Sequence, residues 1–239
     1  MEKIITYETL RKFAYSNDKI INGEIKGIVI DFYGLGGMHM HGGDHSDAKE
    51  YARDGVLFIN PYTNPWCWMN KAAVDYTDEI LDVLFEKYNL PKDTKIVSTG
   101  GSMGGLSALV YTRYAKRTPV ACVTNCPVCD LVYHFTERED LPRTIYSAFA
   151  EFDGTFDEAL RAHSPLHLAN TMPKIPYTVF HCEDDGAVNL EKHSKKFYDA
   201  MKTDHEIELV TIPLRGHCDL SPKAQADYRE AIMRAIKNG

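Results

Sequence analysis

Gly100-Gly101-Ser102-Met103-Gly104 holds a serine between glycines at the spacing G-x-S-x-G. A serine on a sharp strand-to-helix turn has its hydroxyl pushed out over the sheet edge, and glycines flank it because the two backbones nearly collide there. The helix that follows aims free N–H groups and its positive end at a reacting carbonyl. A serine hydroxyl is a poor nucleophile at neutral pH without a base, so the turn calls for an acid and then a histidine further along the chain. Glu183, Asp184 and Asp185 follow one apolar run (Tyr177 to Cys182), and His217 follows another. His217 would accept the serine proton and return it to the leaving group. The acid would hold the imidazole's tautomer and stabilise its charged form.

These groups need a scaffold. Short β-rich runs alternate with amphipathic stretches: 25–32, 55–60, 95–99, 120–128, 177–182 and 206–213 read as strands. Residues 47–54, the run from about 71 to Tyr88 with Ile80, Leu81, Leu84 and Phe85 at helical spacing, and the stretch after Ser102 to about Tyr114 read as helices. Ser221-Pro222 opens a last helix, serine as N-cap and proline in the first turn. Continuous apolar strands alternating with helices predict an α/β fold, a mostly parallel sheet covered on both faces. Reactive groups then sit on the loops beyond the strands' carboxyl ends, where Ser102, the acids and His217 all fall.

The 239 residues are 44% hydrophobic and 26% charged, which excludes a disordered chain and suits one domain, 1–239. A net charge of −7 argues against nucleic acid or an acidic membrane surface as partner. No apolar run approaches a spanning helix, and Met1-Glu2-Lys3-Ile4-Ile5 lacks a signal peptide's basic flank and long apolar stretch. The expectation is a cytoplasmic protein, so the six cysteines are expected to be mostly reduced thiols.

With these motifs the chain resembles the α/β-hydrolase superfamily over nearly its whole length, and within it the small esterases and the catalytic domains of the prolyl oligopeptidase type. Four stretches carry the likeness: Tyr33-Gly34-Leu35-Gly36-Gly37, the Ser102 turn, His181 to Val188, and Gly216-His217. The superfamily pattern His-Gly-x-x-Asp-x-x-Val implies Asp185 as the acid with Val188 in the valine place; Asp184 is the rival and Glu183 a weaker one. The resemblance also implies an oxyanion hole from the Met103 N–H and a donor in the glycine loop. That donor is either the Tyr33 hydroxyl, as in the prolyl oligopeptidase pattern, or the Leu35 N–H, as in simple esterases. Cys182 and Asn189 stand where glycine and proline are usual. Relatives insert a cap where residues 134–175 lie; this irregular stretch of about forty residues leaves room for a short lid.

Other groups rank lower. His39-Met40-His41-Gly42-Gly43-Asp44-His45 resembles the H-x-H-x-D-H run of metallo-β-lactamase-type hydrolases, but an extra residue precedes Asp44 and metal ligands must converge. It is read as a histidine-rich loop beside the pocket, with no metal and no cofactor expected. Cys126-Pro127-Val128-Cys129 ends a strand instead of opening a helix, so buried thiols are expected in place of a redox pair. Tyr62, Trp66 and Trp68 follow the second strand and are the candidates for an acyl or aromatic pocket.

The reading is a serine hydrolase cleaving small-molecule carboxylic esters through an acyl-enzyme on Ser102; the sequence is silent on oligomeric state. One alternative is a small peptidase of the prolyl oligopeptidase type, disfavoured by the mere thirty residues before the first strand. The other is a catalytically silent ligand sensor on the same fold.

Overall fold

A computed structural model describes residues 4–238; Met1 to Lys3, where the absence of a leader was partly read, lie outside them. Seven strands form one sheet: β1 (Ala14–Ser16), β2 (Gly27–Phe32), β3 (Val56–Pro61), β4 (Ile96–Gly101), β5 (Ala121–Asn125), β6 (Tyr177–Cys182) and β7 (Ile207–Ile212). Their order is β1-β3-β2-β4-β5-β6-β7. All neighbours are parallel except β1, which pairs antiparallel with β3 (Tyr15 opposite Asn60). The helices are α1 (Ser46–Arg53), α2 (Lys71–Tyr88), α3 (Met103–Tyr114), α4 (Leu131–Glu137), α5 (Leu141–Ala148), α6 (Phe156–Ala162), α7 (Pro165–Leu168), α8 (Ser194–Met201) and α9 (Pro222–Asn238).

Alternate residues of each strand enter opposite cores, because side chains of a strand point to alternate faces. Ile28, Ile30 and Phe32 of β2, with Leu57 and Ile59 of β3, pack under α2, α3 and the α4–α7 segment. Val29, Val56 and Phe58 pack on the other face under α1 and α9, against Ala231, Ile232 and Ile236. Both faces being covered explains why these strands read as unbroken apolar runs.

Local chemistry ends the helices where the sequence suggests. Asn70 accepts the Ala73 N–H at the start of α2, and Asn89 takes φ 47° at its end. Ser221 accepts the Ala224 N–H at the start of α9.

Residues 134–175 are not irregular. They form α5, α6 and α7 and the end of α4, with Thr155 and Glu158 making a reciprocal capping box on α6 and prolines in the first turns of α5 and α7. Each helix has eight residues or fewer, too few turns to print a periodic pattern. The strand β1 and the helix α8 were not expected from the sequence; β1 has three residues, and α8 covers only Phe197 and Met201 with apolar core contacts. Among the described residues no helix is long and apolar enough to cross a membrane.

Candidate active site

The sheet order reverses at β2, which lies between β3 and β4. The loops after β2 and β4 leave from adjacent strand ends (Phe32 opposite Gly100) and open a crevice at the switch point. Ser102 sits there between β4 and α3 with φ 60° and ψ −125°. That conformation is strained for a residue with a side chain, and strain of this sort costs on the order of 1–3 kcal/mol unless the surroundings enforce it. Here they do: the Ser102 N–H donates to Asn125 O (3.0 Å), and Ser102 O accepts from Leu106 N (3.1 Å) and Val128 N (3.3 Å). The glycines are needed sterically. A Cβ on Gly100 would stand 2.5 Å from Gly104 O, and one on Gly104 would stand 2.1 Å from Phe32 O.

His217 follows β7 on a loop tied to the acid loop by Asp184 N–H to Arg215 O (3.0 Å). Of the three acids read after β6, it is Asp185 that reaches the imidazole, accepting from Nδ1 at 2.7 Å on Oδ2. Its other oxygen accepts the N–H groups of Ala187 (2.8 Å) and Val188 (2.9 Å). Burial pushes the Asp185 carboxyl up, but these bonds, that from His217 foremost, hold it below the ordinary value. Burial opposes a charge on His217 as well, yet the Asp185 bond and the neighbouring Cys126 outweigh it and lift the imidazole to about 9. His181, fully buried beneath the loop, bonds Ser194 Oγ through Nδ1 (2.7 Å) and donates Nε2–H to Val188 O (3.0 Å), bracing the acid turn.

Ser102 and His217 line one cavity of about 530 Å³ with Tyr33, Leu35, Trp68 and His134. His217 Nε2 contacts Cys218 Sγ at 3.7 Å, and among the described residues Ser102 Oγ makes no hydrogen bond. Catalytic hydrogen bonds of this kind commonly tighten only when substrate is bound.

The glycine loop lies against the serine: a Cβ on Gly34 would be 3.8 Å from Ser102 Cβ. Among the described residues the N–H groups of Leu35 and Met103 donate to no acceptor in the fold. The Tyr33 hydroxyl is buried without a partner, its ring against His39 (4.7 Å) and stacked near Tyr62 (6.4 Å). Of the aromatic candidates, Trp68 is fully buried, lines the Ser102 cavity and donates Nε1–H to Thr144 Oγ1 (3.2 Å). Trp66 and Tyr62 instead line a separate cavity of about 300 Å³ between α2 and α5. Between Trp66 and α2 the chain passes through two left-handed residues, Trp68 (φ 44°) and Met69 (φ 50°), both fully buried.

The histidine loop packs ring on ring. His41 lies 5.1 Å from Tyr15 and 4.5 Å from His45, and Asp44 is taken by the Tyr15 hydroxyl (2.7 Å). All six cysteines are free thiols, Cys126 and Cys129 buried among them.

Two parts of the site were not expected. Asp31, at the end of β2, bonds Asn60 Nδ2 (3.0 Å), and burial raises its carboxyl to about 7. On the cavity roof His134 and Glu137 of α4 meet His193. Glu137 Oε2 accepts from His134 Nδ1 (2.6 Å) and from His193 Nε2 (2.9 Å). His193 Nδ1 accepts the N–H groups of Cys129 (3.2 Å) and Asp130 (3.1 Å), so its proton is on Nε2 and it has no lone pair for a metal there. The i, i+3 spacing of His134 and Glu137 was a local signal; His193 has none, being 56 residues from Glu137.

The model of the prolyl oligopeptidase family (Peptidase_S9) matches residues 67–236. No curated protein matches the chain by sequence. By structure the chain is similar to an acylaminoacyl peptidase of Pyrococcus horikoshii, at a TM-score of 0.73 and 14% identity, over 95% of this chain and 40% of that one. It thus spans about two fifths of that peptidase's length. It is also similar to Est1E from Butyrivibrio proteoclasticus (TM-score 0.62, 16% identity, 94% of both chains). An S-formylglutathione hydrolase from Agrobacterium tumefaciens gives a TM-score of 0.68 at 16% identity, over 94% of this chain and 88% of that one. The family match covers well over half of the sequence, and the sheet, its crevice and the serine turn agree with it: the chain belongs to the prolyl oligopeptidase family and has the α/β-hydrolase fold.

Proposed function

We propose that the protein hydrolyses small carboxylic esters through an acyl-enzyme on Ser102. The observation that carries this reading is the strained Ser102 turn opening into the same cavity as a His217 whose Nδ1 is engaged by Asp185. Ser102 Oγ attacks the acyl carbon as His217 Nε2 takes its proton. His217 then returns that proton to the departing alkoxide, and water attacks the acyl-enzyme by the reverse route. Asp185 keeps the imidazole's Nδ1 protonated and offsets its charge. The N–H groups of Met103 and Leu35 receive the oxyanion. The enclosed Tyr33 hydroxyl supports Leu35 over Tyr33 as the second donor.

Ester is favoured over peptide by the wall of the cavity. Among its described lining residues the one carboxyl is Asp31, which burial keeps half-protonated near neutral pH, so nothing there is built to hold a peptide's ammonium. A volume of about 530 Å³ suits a small acyl group and its alcohol. The family match supports the second reading, a small peptidase.

Purified protein is expected to release p-nitrophenol from short acyl esters and to lose that activity in Ser102→Ala. Unchanged turnover in the variant would overturn the assignment. Cleavage of proline-containing dipeptide amides but not of esters would favour the peptidase, and a Ser102 inert to a fluorophosphonate probe would favour a silent sensor.

A further inference from the structure

Three ligand atoms of the zinc-binding kind meet beside the serine: Cys126 Sγ, Cys218 Sγ and His217 Nε2, all within 4.8 Å of one another. Cys126 lies just past β5, whereas His217 and Cys218 lie on the loop after β7, so two strand ends of the sheet deliver them to one point. The 3.7 Å between His217 Nε2 and Cys218 Sγ is close to the ~3.6 Å that Zn–S of about 2.3 Å and Zn–N of about 2.05 Å give at a tetrahedral angle. Asp185 binds Nδ1–H, which leaves the Nε2 lone pair facing the thiols; a carboxylate behind a histidine is the usual outer partner of a metal-bound imidazole. Cys126 Sγ accepts two N–H groups, from Cys182 (3.3 Å) and Cys218 (3.4 Å), which fix the sulfur at the meeting point. Cys218 is half-exposed and lines the Ser102 cavity, giving an ion a way in.

A neighbouring trio, Cys126, His181 and Asp185, is different. Both nitrogens of His181 are committed, to Ser194 and to Val188.

We propose that Cys126, Cys218 and His217 form a Cys2His site for one thiophilic divalent cation of the zinc class, and that its occupancy switches off hydrolysis. The inhibitory half rests on His217 as the base of the reaction: a cation on Nε2 takes the lone pair that must accept the Ser102 proton. Binding is a ligand exchange without redox change. Two S–H bonds break, and with them the Nε2–H bond where the imidazole is protonated; two metal–thiolate bonds and one metal–imidazole bond form, and two or three protons pass to the buffer.

The test titrates Co²⁺, a spectroscopic stand-in for Zn²⁺, into the full chain, freed of metal and kept reduced with a phosphine. A thiolate-to-cobalt charge-transfer band saturating at one equivalent is expected, with at least two protons released per ion in weak buffer. Cys218→Ala should weaken binding by more than about 100-fold, beyond what loss of an outer-shell partner costs. Zn²⁺ at ten times its Kd should leave roughly one tenth of the hydrolysis, restored by chelator. No band in the parent, or a band of unchanged affinity in Cys218→Ala, would overturn the site; full turnover of the Zn²⁺-loaded protein would overturn the switch. Cys218 is half-exposed, so its variant serves where the buried Cys126→Ala fails to fold. Ser102→Ala separates the two readings: its turnover decides the hydrolase reading, and its cobalt spectrum reports the metal site regardless.

Discussion

Gly104→Ala tests whether the backbone contact between α3 and β2 sets the geometry of the site. Alanine favours a helix over glycine by roughly 1 kcal/mol, so helix propensity alone predicts a more stable protein. The structure predicts the reverse. The new Cβ would stand 2.1 Å from Phe32 O, 2.8 Å from Phe32 C and 2.9 Å from Tyr33 C, all backbone atoms. A carbon ordinarily stands about 3.3 Å or more from a carbonyl oxygen, so the two backbones must part by roughly 1 Å. Overpacking of this kind costs about 1–3 kcal/mol, which for a chain of this size lowers Tm by about 2–12 °C. The same movement separates the Met103 N–H, on one side of the contact, from the Leu35 N–H, on the other. A misplacement of about 1 Å can cost 100-fold in rate. Thermal melting, steady-state hydrolysis of p-nitrophenyl esters and the rate of fluorophosphonate labelling read the three effects. The expected result is a lower Tm, kcat down about 100-fold with KM moved far less, and slowed labelling in proportion. A raised Tm with unchanged kcat would refute the reasoning.

Two further predictions concern titration and the cavity roof. Because Nε2 must be unprotonated to act as a base, and the Asp185 bond lifts His217 to about 9, kcat/KM should climb with pH through about 9 instead of levelling off above 6.5. In Asp185→Asn the strongest raising contact is lost and the limb should move down from about 9, with turnover down by about 10⁴; a limb at the same pH in both proteins would refute this. Glu137→Ala removes the acceptor shared by two buried histidine N–H groups and should cost about 2–4 kcal/mol in denaturant unfolding. A loss under about 0.5 kcal/mol would show that these donors find other partners.

The six parallel strands were legible because each is a short β-rich run bounded by turn residues, and β2, β3, β5 and β6 are also almost wholly buried; β7, at the sheet edge, keeps Glu208 and Thr211 exposed. Their limits shift by up to three residues, since hydrogen bonding, which hydrophobicity does not report, decides where a strand stops. β5 is the clearest case: the apolar run continues to Val128, but Cys126 takes φ 45° and leaves the ladder after Asn125. Ser102, Asp185 and His217 were legible as candidates because chain order and strand-end placement are local features. The division of labour between Asp184 and Asp185 came only through a family pattern, and Asp185 is singled out physically by a turn that gives its Oδ1 two N–H donors.

The α4–α7 segment shows the opposite case. Its helices are too short to carry a period, and they are stabilised by packing on one another and on α3. The sequence by itself therefore determined the six parallel strands, the serine turn and the order of the chemical groups, all of which depend on residues near one another in the chain. Which aromatic lines the cavity, the Glu137 bridge to His193, and the meeting of Cys126 with His217 and Cys218 were decided by tertiary structure alone. Cys126 and Cys218 are 92 residues apart, and only the parallel sheet, by ending its strands along one edge, brings their sulfurs together.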